Sequence, residues 1–61
     1  MTRNQFENQP VKFGDTIVVE YRKANAHVEH QVYGANFEHG VYFIEHNETI
    51  PFLWVSEYIS K

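Results

Sequence analysis

Glutamate is the most frequent residue in this chain that could do chemistry, and histidine occurs four times. Three of the four histidines directly follow a glutamate: Glu29-His30, Glu38-His39 and Glu45-His46. Histidine and carboxylate side chains bind zinc, but a site needs three or four of them converging at about 2.0–2.2 Å. Neighbouring residues of a strand point to opposite faces, so none of these pairs can chelate as a pair. His27 and Glu29 share a face and offer two ligands only. His27, His39 and His46 therefore read as exposed, and His30 as a hydrogen-bonded histidine on the apolar face. No metal and no cofactor is assigned.

The chain has no cysteine, which removes thiolate nucleophiles, thiolate metal sites and disulfides. Asp15 is the only aspartate. Ser56 and Ser60 lie near the chain end, with no histidine and third orienting group arranged beside them. Gly14, Gly34 and Gly40 are too scattered to form a phosphate loop. The expectation is a protein without catalytic residues.

Charge is the more informative feature. The formal net charge is −3 and the pI is about 5.7. Residues 24–60 hold Glu29, Glu38, Glu45, Glu48 and Glu57 with no lysine or arginine. Such a surface repels a phosphate backbone, whose affinity comes chiefly from Lys and Arg. It suits a basic protein partner, or it is an ordinary solvated face. Aromatics make up 16% of the chain, and Tyr and Trp are enriched in interface hot spots. Glu38, Glu45 and Glu48 are the candidate partner-binding charges. Tyr33, Tyr42, Trp54 and Tyr58 are the candidate anchors.

These residues must be held by elements that fit into 61 residues, which is one small domain. Residues 1–10 read as a flexible polar arm ending at Pro10, and 11–61 as a single folded domain. Asp15–Lys23 is rich in β-branched and aromatic residues, as strands are. Ala24-Asn25-Ala26 is the next turn. His27–Phe37 alternates, with Val28, His30, Val32 and Gly34 on one face. Glu38-His39-Gly40 reads as a hairpin loop, Gly40 supplying a left-handed conformation. Val41–His46 is the third strand, Tyr42 and Ile44 sharing a face. Asn47-Glu48 is a turn, and Thr49–Val55 a fourth strand that Pro51 places at an edge or bulges. A 3-10 turn and a closing strand are expected within Val55–Lys61. The fold class is all-β: a small antiparallel barrel of four to five strands.

Val11-Lys12-Phe13-Gly14-Asp15-Thr16-Ile17-Val18-Val19 resembles the Gly-Asp segment that feeds the second strand of SH3-like barrels. Trp54-Val55-Ser56-Glu57-Tyr58-Ile59 is similar to the Ser-x-Tyr-apolar turn near the end of such domains. The two segments cover about a quarter of the chain. The strand layout also resembles compact Sm-like barrels, some of which regulate RNA-linked enzymes by binding them. The adjacent tryptophan pair of a proline-peptide groove is missing, and only Tyr58 maps onto a groove residue of that family. The resemblance thus implies the barrel without implying proline-rich ligands.

The reading is a non-enzymatic acidic binding protein acting through protein–protein contacts. Its expected role is regulator or inhibitor of a basic or nucleic-acid-handling partner, as a free-standing phage-type accessory factor would be. Its expected location is the cytoplasm, because no apolar run reaches membrane-spanning length and residues 1–9 lack a leader's apolar stretch. Two rivals stand beside it. One is a single-stranded nucleic-acid-binding barrel using Arg3, Lys12, Arg22 and Lys23 with exposed aromatics. The other is a self-assembling module whose edge strands pair between copies.

Overall fold

The computed structural model describes residues 1–44 and 48–61. The chain opens with a short helix, α1 (Arg3–Glu7), where the sequence reads as a flexible arm. Thr2 caps it: its hydroxyl accepts from the Gln5 N–H at 3.1 Å, and the Gln5 side chain accepts from the Thr2 N–H at 2.9 Å. This reciprocal box satisfies two of the N–H groups that a helix start leaves unpaired. Its purpose is visible in Phe6, which is 0% exposed. The ring lies 4.9 Å from Phe52, nearly parallel to it, and 5.1 Å from Tyr42, edge to face. One aromatic residue in an otherwise polar stretch is a weak sequence signal, yet burying it ties the segment to the fold.

Six strands follow: β1 (Thr16–Tyr21), β2 (Ala26–Gln31), β3 (Gly34–Asn36), β4 (Val41–Ile44), β5 (Glu48–Pro51) and β6 (Val55–Ile59). A 3-10 turn, Phe52–Trp54, separates the last two. The strands form two three-stranded antiparallel sheets, ordered β2-β1-β6 and β3-β4-β5. The all-β antiparallel expectation holds at this level. Among the described residues the ladders form two separate sheets and do not close into one barrel.

The strand read as continuous over His27–Phe37 is divided between the two sheets. Val32 donates to the Asp15 carbonyl of the first sheet, and the next residue, Tyr33, donates to the Phe43 carbonyl of the second. Two successive residues thus hand the chain from one layer to the other, as strands do at the corners of packed sheets. Val32 is fully buried at this bend. Around it lie Ile17 and Val19 from β1, Tyr42 and Ile44 from β4, Ile50, Phe52 and Val55. The period-2 pattern explains both pairs, since alternate residues of β1 and β4 face inward.

The turns agree with the sequence. Asn25 takes φ 51° between β1 and β2, and Gly40 takes φ 69° before β4. A Cβ on Gly40 would approach Arg3 Nη1 at 3.1 Å and Phe52 Cδ1 at 3.2 Å, so glycine is required twice over. Pro51 ends β5, which borders β4 only and is an edge. The third turn, read at Asn47-Glu48, falls partly on residues 45–47, outside the described residues. No helix among those described is long and apolar enough to cross a membrane.

Phe6 is the test of whether the first ten residues belong to the fold. A buried Phe→Ala change costs about 3–5 kcal/mol, comparable with the whole stability of a domain this small. Phe6→Ala is expected to leave the protein largely unfolded at 25 °C by circular dichroism. Unchanged thermal unfolding would mean that α1 is dispensable.

Candidate interaction surface

The structure separates the residues expected to bind together. Tyr42 is 0% exposed and belongs to the core, its hydroxyl donating to Met1 Sδ at 3.3 Å. It cannot be a surface anchor, because alternation along β4 turns it inward with Ile44. Glu38 lies in the turn before β4 and Glu48 opposite the strand's far end, paired with Ile44. The whole of β4, three residue steps or about 10 Å, lies between them. They are exposed but do not form a patch. Glu45 lies outside the described residues. Tyr33 and Trp54 are exposed, as an anchor requires.

Tyr58 is half-buried and its hydroxyl is already committed. It donates to Asp15 Oδ2 at 2.7 Å. The same carboxylate accepts the Lys61 N–H at 2.8 Å and the Lys12 N–H at 3.3 Å. The Tyr58 hydroxyl, then the Lys61 amide, hold the Asp15 carboxyl below its ordinary range against the opposing effect of burial. Burial first, and donation to Asp15 second, push the Tyr58 phenol well above its usual value. Burial alone pushes Tyr42 to about 12. The two segments that carry the barrel resemblance therefore meet at this hydrogen bond, and its work is structural.

What the fold does bring together is an open groove of about 660 Å³, lined by Glu20–Ala24, Leu53 and Trp54. Read as a strand, Phe52 and Trp54 would share a face. The 3-10 turn instead buries Phe52 and leaves Leu53 66% and Trp54 47% exposed. The Tyr21 ring stands edge-on to Trp54 at 6.2 Å, and its hydroxyl pairs with His30 Nε2 at 3.1 Å. His30 is thus the hydrogen-bonded histidine expected on the inner face. Arg22 and Lys23 rim the groove, and the Arg22 guanidinium is 4.0 Å from Glu20.

An acidic row adjoins it. Val18 of β1 pairs with Glu29 on one side and Glu57 on the other, placing both carboxylates on the outer face of the first sheet. Glu20, two residues along, continues that face. Acid from three distant sequence positions is gathered by register, which no linear spacing reveals.

A second exposed pair is Phe13 and Tyr33, stacked at 5.0 Å and 10°. Phe13 is 75% exposed. Lys12 precedes it, and the Lys61 side chain lies over Gly14. Arg3, by contrast, is not free for a ligand. Its guanidinium pairs with Glu7 at 2.8 Å, donates to the Phe37 carbonyl at 2.8 Å and lies 5.6 Å from the Phe52 ring centre.

Sequence reasoning missed Tyr21, Leu53 and Phe13 as surface residues. The apolar run from Ile50 to Val55 was the available signal for Leu53, since five apolar residues beside a proline cannot all face inward from one strand. The chain matches no family model, and no similar curated protein or solved structure was found.

The Asp15–Tyr58 bond makes a pH prediction. Because the folded carboxyl titrates below its unfolded value of about 3.9, its stabilisation is present above about pH 4 and is lost as pH falls toward the folded value. Tyr58→Phe removes the largest lowering influence. The variant should melt lower at neutral pH and lose stability less steeply below pH 4 than the parent. Equal slopes in a melting series from pH 2 to 7 would contradict this.

Proposed function

We propose that this chain is a non-enzymatic binding protein that regulates or inhibits another protein in the cytoplasm through direct contact. One observation supports the reading above the others: Leu53 and Trp54 stand exposed over a groove whose Glu20 edge continues into the Glu29–Glu57 row. Single exposed leucines are ordinary, but adjacent large apolar residues over a concavity characterise interaction sites. The partner that fits presents an apolar anchor for the groove beside basic side chains for the acidic face. The site is therefore built from Tyr21, Leu53, Trp54, Glu20, Glu29 and Glu57. Of the anchors taken from the sequence, it keeps Trp54.

The bend at Val32, the two-sheet order and the 3-10 turn before β6 support an SH3-like or Sm-like barrel as the architecture beneath this site. Affinity capture from nuclease-treated source-cell lysate tests the binding reading. One dominant protein recovered by the parent chain should fall at least about 30-fold with Trp54→Ala, the loss expected of a hot-spot residue. Recovery indifferent to Trp54, or abolished by nuclease, would overturn it.

A single-stranded nucleic-acid reading has its own support in the Phe13–Tyr33 stack between Lys12 and Lys61. Bases stack on such rings for about 1–3 kcal/mol each. If it holds, a labelled oligonucleotide binds in low salt and Phe13→Ala weakens it by about 5–150-fold. No anisotropy change at millimolar protein would dismiss it.

A further inference from the structure

We propose that β2 is a self-pairing edge, along which two copies of this chain join antiparallel about a two-fold axis at Val28. The inference is independent of the Trp54 groove, which the pairing leaves open.

Among the described residues, four strands border a sheet on one side only: β2, β6, β3 and β5. β3 has three residues, β5 ends in Pro51, and β6 shifts register against β1 between Val18 and Val19. β2 has six residues and no proline, and its register with β1 is unbroken from Thr16↔Gln31 to Tyr21↔Ala26. It is the longest regular edge, and an unpaired edge is a template for another strand.

The backbone states which residues offer that template. Val32 donates to the Asp15 carbonyl at 2.8 Å and accepts from the Gly14 N–H at 3.0 Å, both on the β1 side. Alternation along the strand then turns the amides of His30, Val28 and Ala26 toward β1. Those of His27, Glu29 and Gln31 face outward.

Only registers that set outward residue against outward residue can form the ladder. Centred on Glu29, the pairing opposes two glutamates. Centred on His27, it opposes two histidines and leaves each Glu29 without a charged partner. Centred on Val28, it sets His27 against Glu29 of the second copy, twice. It also sets Val28 against Val28 on the closer, non-hydrogen-bonded rung. Val28 faces inward yet is 40% exposed. The tripeptide His27-Val28-Glu29 is thus self-complementary in polar pairing, in apolar contact and in backbone polarity. Within one copy position 27 pairs with Glu20 of β1, so a lysine placed there would meet a carboxylate on each side. The product is one six-stranded sheet with an isologous interface.

Five residues a side make a small interface, so the dimer is concentration-dependent. Sedimentation equilibrium of the full chain, into the millimolar range, should show mass rising from monomer toward dimer. Amide NMR shifts should move with concentration chiefly at His27 and Glu29. Each opposite-charge cross-strand pair changes affinity by about 1.4- to 5-fold, and the dimer contains two. His27→Lys should therefore tighten it by about 2–30-fold, and Glu29→Lys should weaken it by a similar factor. Both positions are exposed, and circular dichroism checks that both variants fold. Monomer at every concentration, shifts centred elsewhere, or the same response to both variants would overturn the proposal.

Discussion

The buried carboxylate of Asp15 is the constraint on which the rest of the molecule depends. Its side chain gathers the Tyr58 hydroxyl and the Lys61 and Lys12 amides, while its carbonyl takes the N–H of Val32. One residue thus holds the end of β6, the loop before β1 and the bend between the sheets. A buried charge is costly unless fully hydrogen-bonded, and none of the described buried side-chain polar atoms lacks a partner. The cost of burial becomes specificity here, because other arrangements of the chain ends would leave the carboxylate unpaired.

The aromatic cluster adjoins that hub, the Tyr42 ring lying 5.8 Å from that of Tyr58. Phe6, Tyr42 and Phe52 meet in stacked and edge-on contacts, which suits a core too small to rely on aliphatic volume alone. Arg3 lies over Phe52 and bonds the Phe37 carbonyl, so α1 is fastened by packing and by charge. The consequence reaches the surface. A cation that reads as a ligand-binding residue is consumed in structure, and the remaining basic residues stand beside exposed aromatics.

Charge and apolar surface are sorted by the sheets. The outer face of β2-β1-β6 collects glutamates, one end of the molecule carries the Trp54 groove, and the other carries the Phe13–Tyr33 stack. The β2 edge joins these regions without covering either. That asymmetry is what supports the proposed recognition of partners.

Much of the fold was legible in the chain. Alternation set Tyr42 and Ile44 on one face of β4 but did not say that this face is the core, so Tyr42 read as an anchor and is buried; the left-handed positions at Asn25 and Gly40 fell at turns. Gly14-Asp15 and the Ser56-x-Tyr58 segment marked two ends that do meet. Alternation constrains only the nearest few residues, so it could not see that one aromatic, Phe6, anchors a polar segment. Nor could it separate Leu53 and Trp54 from Phe52, which depends on a 3-10 turn in place of a strand. The candidate site was less legible, because its members converge by register. Glu29 and Glu57 are neighbours only because both pair with Val18, while Glu38 and Glu48 are held apart by the length of β4. By itself the sequence determined the all-β character, the turns at Asn25 and Gly40 and the acidic charge, all of which follow from local sterics and composition. Which aromatics face solvent, which glutamates share a face and which edge stands open were decided by the tertiary structure alone. Those properties depend on pairings between residues far apart in the chain.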